Sequence, residues 1–272
     1  MAATSRAVPA RSIGFARQES ISLTCAVPVE APVSIVYGNV PYAVMMATPD
    51  DFEDFVTGFS LTEGIIEQHE EIRDILVEEA DKGWRVTVSL SPDRFRKHLA
   101  RTRSLSGRTG CGLCGIGSLD DLPEAARPAG AAPVLAVEAV ARAVHDLDNH
   151  QPLNDLTRAV HGAAWCDLDG GIRLVREDVG RHNALDKLIG ALLRAGQDPA
   201  GGFLLITSRC SFEMVEKAAR FGAHHLVAVS APTSLALDRA QALGLGLIAV
   251  ARQDSALVFQ GALPEVARKG AA

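Results

Sequence analysis

The pattern of hydrophobic and polar positions divides the chain into two halves that read differently. In the first, Ile21 to Val27, Val33 to Tyr37 and Val40 to Met46 are alternating, β-branched runs separated by Pro28, Pro32 and the Gly38-Asn39 turn, and they predict three strands. Thr48-Pro49-Asp50-Asp51 then has the form of a helix start, with Thr48 as cap, Pro49 at the first helical position and two Asp at the positive end of the dipole. That helix is expected to run to about Thr62 and stop near Gly64. Ile72 to Glu78 and Trp84 to Leu90 predict a hairpin around Asp81-Lys82-Gly83, and Ser91-Pro92-Asp93 opens a second helix that ends near Arg103.

The second half alternates more cleanly. Val137 to Leu147 reads as a helix, and Ala163 to Asp167 with Ile172 to Arg176 as a hairpin around Asp169-Gly170-Gly171. A helix from Ala184 to Arg194 follows, with Asn183 as its N-cap. Three apolar runs, Phe203 to Thr207, Leu226 to Ser230 and Leu247 to Val250, enclose helices from Phe212 to Phe221 and Ser234 to Leu243. Strands and helices at this spacing predict an α/β domain built on a mainly parallel sheet. The expected organisation is a disordered tail at 1–12, an N-terminal α+β domain at 13–103, a glycine-rich linker at 104–133 and a C-terminal α/β domain at 134–272.

Composition narrows the function classes. Hydrophobic residues make up 47% and charged residues 22%, as in ordinary soluble globular chains. The net charge of −6 argues against general electrostatic binding to nucleic acid, while local basic patches leave room for a phosphate-bearing ligand. No run approaches the roughly 20 apolar residues of a membrane span, and the N-terminus has no apolar core of a secretory signal. Of five cysteines only Cys111 and Cys114 form a close pair, which does not read as a secreted disulfide framework. The expected location is the cytoplasm.

Three motifs carry candidate chemistry. Arg108-Thr109-Gly110-Cys111-Gly112-Leu113-Cys114-Gly115 lies in a glycine-rich stretch from Ser104 to Pro123. Two thiols three positions apart can chelate a metal, form a disulfide, or let one attack what the other carries, and Arg101, Arg103 and Arg108 favour the reactive thiolate. A zinc half-site would need Cys166 or Cys210 and a histidine to complete it. A thioredoxin-type pair would need a strand leading directly into a helix, which the surroundings lack. The second motif, Arg176-Glu177-Asp178-Val179-Gly180-Arg181-His182-Asn183-Ala184-Leu185-Asp186-Lys187, follows a strand and enters a helix. It reads either as a ligand-facing loop with Arg181 and His182 near the ligand, or as a solvated loop of ordinary ion pairs. The third comprises the turns Thr207-Ser208-Arg209-Cys210-Ser211 and Ser230-Ala231-Pro232-Thr233-Ser234, where Ser208, Arg209 and Ser230 suit phosphate oxygens and Ser211 and Thr233 suit helix caps.

Taken together, these residues resemble the formate dehydrogenase accessory sulfurtransferases, the FdhD or NarQ proteins. The resemblance runs from about Ser20 to Phe259. It rests on Ala43-Val44-Met45-Met46-Ala47-Thr48-Pro49, Gly58-Phe59-Ser60-Leu61-Thr62-Glu63-Gly64-Ile65-Ile66, the first two motifs above, Ser211-Phe212-Glu213-Met214-Val215 and Ser230-Ala231-Pro232-Thr233-Ser234. It implies a C-terminal three-layer α/β domain similar to the cytidine deaminase fold; this sequence lacks the deaminase zinc motif, and neither deaminase chemistry nor a bound structural metal is expected. It implies that Cys111 carries a persulfide taken from a cysteine desulfurase, with Cys114 in support. The acceptor it implies is the molybdenum cofactor with two pterin guanine dinucleotides, bis(molybdopterin guanine dinucleotide), destined for formate dehydrogenase, and the assembly state it suggests is a homodimer. The resemblance also implies cofactor contact at Val250-Ala251-Arg252-Gln253-Asp254-Ser255. There the family often shows a Phe-x-Arg-Gly-Gly-Arg-like segment, of which this chain keeps Arg252 but neither the glycines nor the second arginine.

Overall fold

Residues 2–15, 19–104 and 124–261 are described by the structure, a computed structural model of the chain. The first two strands, β1 (Ser5–Gly14) and β2 (Glu19–Pro28), pair antiparallel from Ser5↔Pro28 to Gly14↔Glu19. This corrects the disordered tail expected at 1–12. Ser5–Gly14 has no buried face, so it lacks the apolar alternation that marks a strand, yet its backbone is satisfied by the β2 ladder.

The next four strands, β3 (Ala31–Tyr37), β4 (Val40–Ala47), β5 (Ile72–Ala80) and β6 (Gly83–Leu90), form a sheet in the order β4-β3-β6-β5. Only its central pair, β3 with β6, is parallel. Helix α1 (Phe52–Thr62) follows β4, and α2 (Pro92–Ser104) follows β6. Helix α1 starts later than Thr48-Pro49 suggests. The Thr48 backbone N–H donates to Asp178 (2.9 Å), its hydroxyl accepts the Val179 N–H (3.1 Å), and its carbonyl accepts the Lys187 ammonium (2.9 Å). Thr48 is therefore occupied by the second half of the chain, and Asp51 stands at the N-cap in a left-handed conformation (φ 52°).

The second half begins with α3 (Val137–Asp146) and the short α4 (Pro152–Thr157). It continues through β7 (His161–Asp167), β8 (Ile172–Asp178), α5 (Arg181–Arg194), β9 (Gly202–Ile206), α6 (Phe212–Phe221), β10 (His225–Ala228), α7 (Ser234–Leu243), β11 (Gly246–Ala249) and β12 (Leu257–Gln260). The six strands lie in the order β12-β11-β10-β9-β7-β8. The sheet is mixed rather than mainly parallel: β9, β10 and β11 are parallel neighbours, while β8, β7 and β12 join by antiparallel pairing. The reason is the β7–β8 hairpin. It inserts β7 between β8 and β9, so the crossover through α5 joins two strands of like direction that do not touch.

Both faces of the inner strands β7, β9, β10 and β11 are buried, which is why they read as apolar runs rather than alternating ones. Trp165, Leu204, Ile206, Leu226 and Leu247 enter one cluster with α5, α6, α7 and α1. Cys166, Phe203, Leu205, Val227 and Ile248 enter another with Ala139, Val140 and Ala143 of α3. The result is a three-layer α/β arrangement. The first cluster continues into the N-terminal sheet through Val33, Ile35, Val86 and Val88, so one core spans both halves.

Candidate functional site

The carboxyl ends of β9, β10 and β11 are tied into one rim. After β9, the Thr207 N–H donates to the Gly162 carbonyl and the Thr207 hydroxyl accepts the Gly162 N–H, both at 3.0 Å. The Cys210 N–H donates to the Ala231 carbonyl (3.2 Å), and the Thr233 N–H returns a bond to the Cys210 carbonyl (3.0 Å). The two turns singled out in the sequence are thus zipped together. Thr233 caps α7 by accepting the Ala236 N–H, whereas Ser211 occupies the N-cap of α6 without a side-chain cap bond. The next segment joins the same rim, with Val250 N–H donating to the Ser230 carbonyl (3.2 Å) and Ala251 N–H to the Ala228 carbonyl (3.1 Å). Ser208, Arg209, Ser230 and the 250–255 segment therefore share one edge of the sheet.

Their side chains differ in what they offer. Ser208 is buried and donates to the Arg209 carbonyl (3.1 Å), while Arg209 is exposed. The Arg252 guanidinium folds back onto the carbonyls of Val229 and Ala251. The Arg252 N–H closes a tight turn with the Ser255 carbonyl (2.7 Å), Ser255 hydrogen-bonds Asp254, and Gln253 is exposed. Val250 holds φ at 53°, a conformation β-branched residues rarely take, and Ala251 is buried.

Beside this rim, α5 begins against the usual charge preference. Its N-cap is Gly180 rather than Asn183, and its first turn holds no acidic residue but Arg181 and His182. Arg181 Nε and His182 Nε2 are both buried with no hydrogen-bond partner among the described residues. His161, at the start of β7, and Glu213 and Lys217, from α6, lie within electrostatic reach. Burial first, then the charges of Lys217 and Arg181, hold His182 down to about 4. Burial, then Arg181, holds His161 below its ordinary value. Burial pushes Glu213 up, but the Ser211 hydroxyl and the His182 and Arg181 charges outweigh it and leave the carboxyl below its usual range. The unused Arg181 Nε donor, in the first turn of α5, suits anionic oxygens.

Most of the remaining polar residues of the 176–187 motif are engaged by partners within the protein. Arg176 binds Asp54 of α1 (2.7 Å), and the Glu177 carboxylate accepts the Leu153 and Asn154 N–H groups at the start of α4. Asp178 pairs with Lys187 at 2.8 Å, both fully buried, and Asn183 donates to the Met46 carbonyl (2.8 Å). Asp186 pairs with Lys217 (2.8 Å) and accepts the Thr62 hydroxyl (2.7 Å). These polar contacts tie the elements of the fold together, whereas Arg181 Nε and His182 Nε2 have no hydrogen-bond partner among the described residues. A cavity of about 570 Å³ beside β8, lined in part by Asp51, His150, Leu156 and Arg176, contains none of the residues expected to meet a ligand.

Cys111 and Cys114 lie outside the described residues, and α2 leads toward them at Ser104 while the described chain resumes at Glu124. His161 was not among the residues singled out in the sequence. Its signal is the hairpin register, which pairs His161 with Asp178 and so brings it to the Arg181–His182 turn; a strand begun at Ala163 stops short of it.

The carboxyl edge of this sheet gathers loop turns and the N-termini of α5, α6 and α7, and in open α/β proteins ligands bind at that edge. The model of the FdhD/NarQ family matches residues 28–263, and the chain belongs to that family. It is 46% identical over 233 residues to the sulfur carrier protein FdhD of Xanthomonas euvesicatoria pv. vesicatoria (strain 85-10), covering 86% of this chain and 83% of that protein. It is 45% identical over 234 residues to the sulfur carrier protein FdhD of Bordetella petrii, covering 85% and 83%. Among solved structures, a protein of Desulfotalea psychrophila described as a formate dehydrogenase accessory protein superposes with a TM-score of 0.76 at 27% identity, over 95% of this chain and 98% of that one.

Proposed function

We propose that this chain is a sulfur carrier that takes persulfide sulfur from a cysteine desulfurase onto Cys111 and hands it to the molybdenum cofactor of formate dehydrogenase. The observation that carries the reading is membership of a family whose relatives are named sulfur carriers, in a chain that has a close cysteine pair at Cys111 and Cys114. The Cys111 thiolate attacks the outer sulfur of the donor persulfide; that S–S bond breaks, the desulfurase thiolate leaves, and Cys111–S–SH forms. Cys114 supplies a second thiol three residues away. Release at the sulfide level takes two electrons: the Cys114 thiolate attacks the inner sulfur on Cys111, hydrosulfide leaves to the acceptor, and the Cys111–Cys114 disulfide that forms is reduced by an external thiol.

The acceptor in this reading is bis(molybdopterin guanine dinucleotide), bound as substrate. Its phosphates are assigned to Arg181 and the Ser208, Arg209 and Ser230 turns, with Gln253 and Asp254 contributing backbone N–H groups, since those of Val250, Ala251 and Arg252 are already bonded within the rim. Support comes from the shared rim and from the buried, unpartnered Arg181 Nε and His182 Nε2. The test is mass spectrometry of the full chain after incubation with a cysteine desulfurase and cysteine. One added sulfur atom on Cys111, absent in Cys111→Ala, is the expected result. No adduct on the wild-type protein, with cofactor binding retained, would make it a cofactor-insertion protein instead.

A further inference from the structure

Where the described chain resumes, it is gripped by a buried ion pair. The Glu216 carboxylate of α6 accepts the Ala125 N–H and the Arg239 Nε, while Arg239 Nη2 donates to the Ala125 carbonyl at 2.9 Å. One irregular residue is thus held at both its N–H and its C=O. Arg220 donates to the Glu124 carbonyl (3.3 Å) and Arg127 to the Leu243 carbonyl (3.1 Å), extending the grip on either side. Glu216 is 4% exposed, and apolar side chains would fill a seam between α6 and α7 at lower desolvation cost than a charged pair. What the pair adds is a fixed position for one stretch of main chain.

That position lies close to the candidate site. Helix α6 carries Glu213 beside Arg181 and His182, and Glu216 follows about one turn later, roughly 4.5 Å along the axis. We propose that Glu216 and Arg239 are positioning residues for sulfur delivery: by clamping Ala125 to α6, they fix the point where the Cys111 segment rejoins the α/β domain one helical turn from the Arg181–His182 face. This rests on the sulfur-carrier reading and adds to it a reason for the buried charges. The clamp has no part in accepting sulfur from the donor. It acts on where the loaded thiol is presented.

The experiment uses the full chain as wild type, Glu216→Ala, Glu216→Gln, Arg239→Met and Arg239→Lys. Two quantities are read: sulfur loaded on Cys111 by a desulfurase with cysteine, and the rate at which the preloaded protein activates sulfur-free formate dehydrogenase. Loading within about twofold of wild type in every variant is expected. Delivery should fall at least tenfold in Glu216→Ala and Arg239→Met and recover to within about threefold in Glu216→Gln, which keeps an acceptor for the Ala125 N–H. If Glu216→Ala does not fold, Arg239→Met against Arg239→Lys decides. Unchanged delivery overturns the proposal, as does a parallel fall in loading, delivery and melting temperature, which marks a purely structural pair. A wild-type chain that accepts no sulfur removes the sulfur-carrier reading itself, and the proposal with it.

Discussion

Gly58 of α1 and Gly190 of α5 meet backbone to backbone where the two helices cross. A Cβ built on Gly58 would lie 1.8 Å from the Asp186 carbonyl oxygen, and one on Gly190 would lie 1.8 Å from the Asp54 carbonyl oxygen. No side chain can give way at either point, because the obstacle is main chain. Gly58→Ala and Gly190→Ala should therefore each force the helices apart and cost about 1–3 kcal/mol or more. Thermal unfolding should show a melting temperature lower by roughly 5 °C or more. Gly201→Ala, whose Cβ would meet only the Gln197 side chain at 3.3 Å, serves as the tolerated control. Equal melting temperatures for all three variants would refute the crossing.

The same junction is pinned by charge. Lys187 and Asp178 pair at 2.8 Å with no solvent exposure, and both also bond Thr48, the residue that links β4 to α1. Removing one partner leaves the other buried without its counter-charge, at a cost of about 3–5 kcal/mol. Lys187→Met should thus destabilise strongly, whereas the double change Lys187→Met with Asp178→Leu should recover part of the loss. Denaturant titration of the single and double variants provides the measurement. A double variant that loses the sum of both single effects would show that the two charges do not interact.

His182 makes stability depend on pH. In the folded chain its value is held down to about 4 by burial and by the Lys217 and Arg181 charges, while in the unfolded chain it returns to about 6.5. Above pH 6.5 both states are neutral and the histidine contributes no pH dependence. As pH falls from 6.5 to 4 the unfolded chain takes up the proton first, so stability falls, by up to about 3 kcal/mol. His161, depressed by burial and Arg181, acts in the same direction. His182→Gln should flatten the profile between pH 6.5 and 4 without moving its neutral plateau. A profile unchanged by the substitution would place His182 in contact with water.

Much of the fold was legible because local signals and long-range packing agree. Helices Phe212–Phe221 and Ser234–Leu243 lie where Ser211 and Thr233 open them and Gly222 and Gly244, both left-handed, close them. The misreadings share a cause. Thr48 looks like a cap but serves Asp178, Val179 and Lys187, more than a hundred positions away. Asn183 looks like a cap but bonds the Met46 carbonyl. The polar run 176–187 reads equally as a ligand loop or as ordinary ion pairs, because partners such as Asp54, Met46 and Thr62 lie in the other half of the sequence. Local pattern reports propensity, and at these positions the tertiary partner decides. Of the candidate site, Arg181 and His182 were legible as basic residues at a helix start, while their burial without partners is a property of the assembled fold alone.

Val250 offers a test of strain at the rim. Its φ of 53° is open to glycine but costs a β-branched residue about 1–3 kcal/mol, and the surrounding bonds from Val250 to Ser230 and Ala251 to Ala228 hold it there. Val250→Gly removes that strain while adding about 0.5–1 kcal/mol of unfolded-chain entropy. The net expectation is a gain of about 1 kcal/mol and a melting temperature higher by about 2–4 °C. Val250→Ala, which removes the branch but keeps a Cβ, should fall between the two. Because the N–H that reaches Ser230 is unchanged, sulfur loading on Cys111 should stay at the wild-type level in both variants. A lower melting temperature for Val250→Gly would mean that packing of the isopropyl group outweighs the backbone strain, and that the turn is held by its side chain.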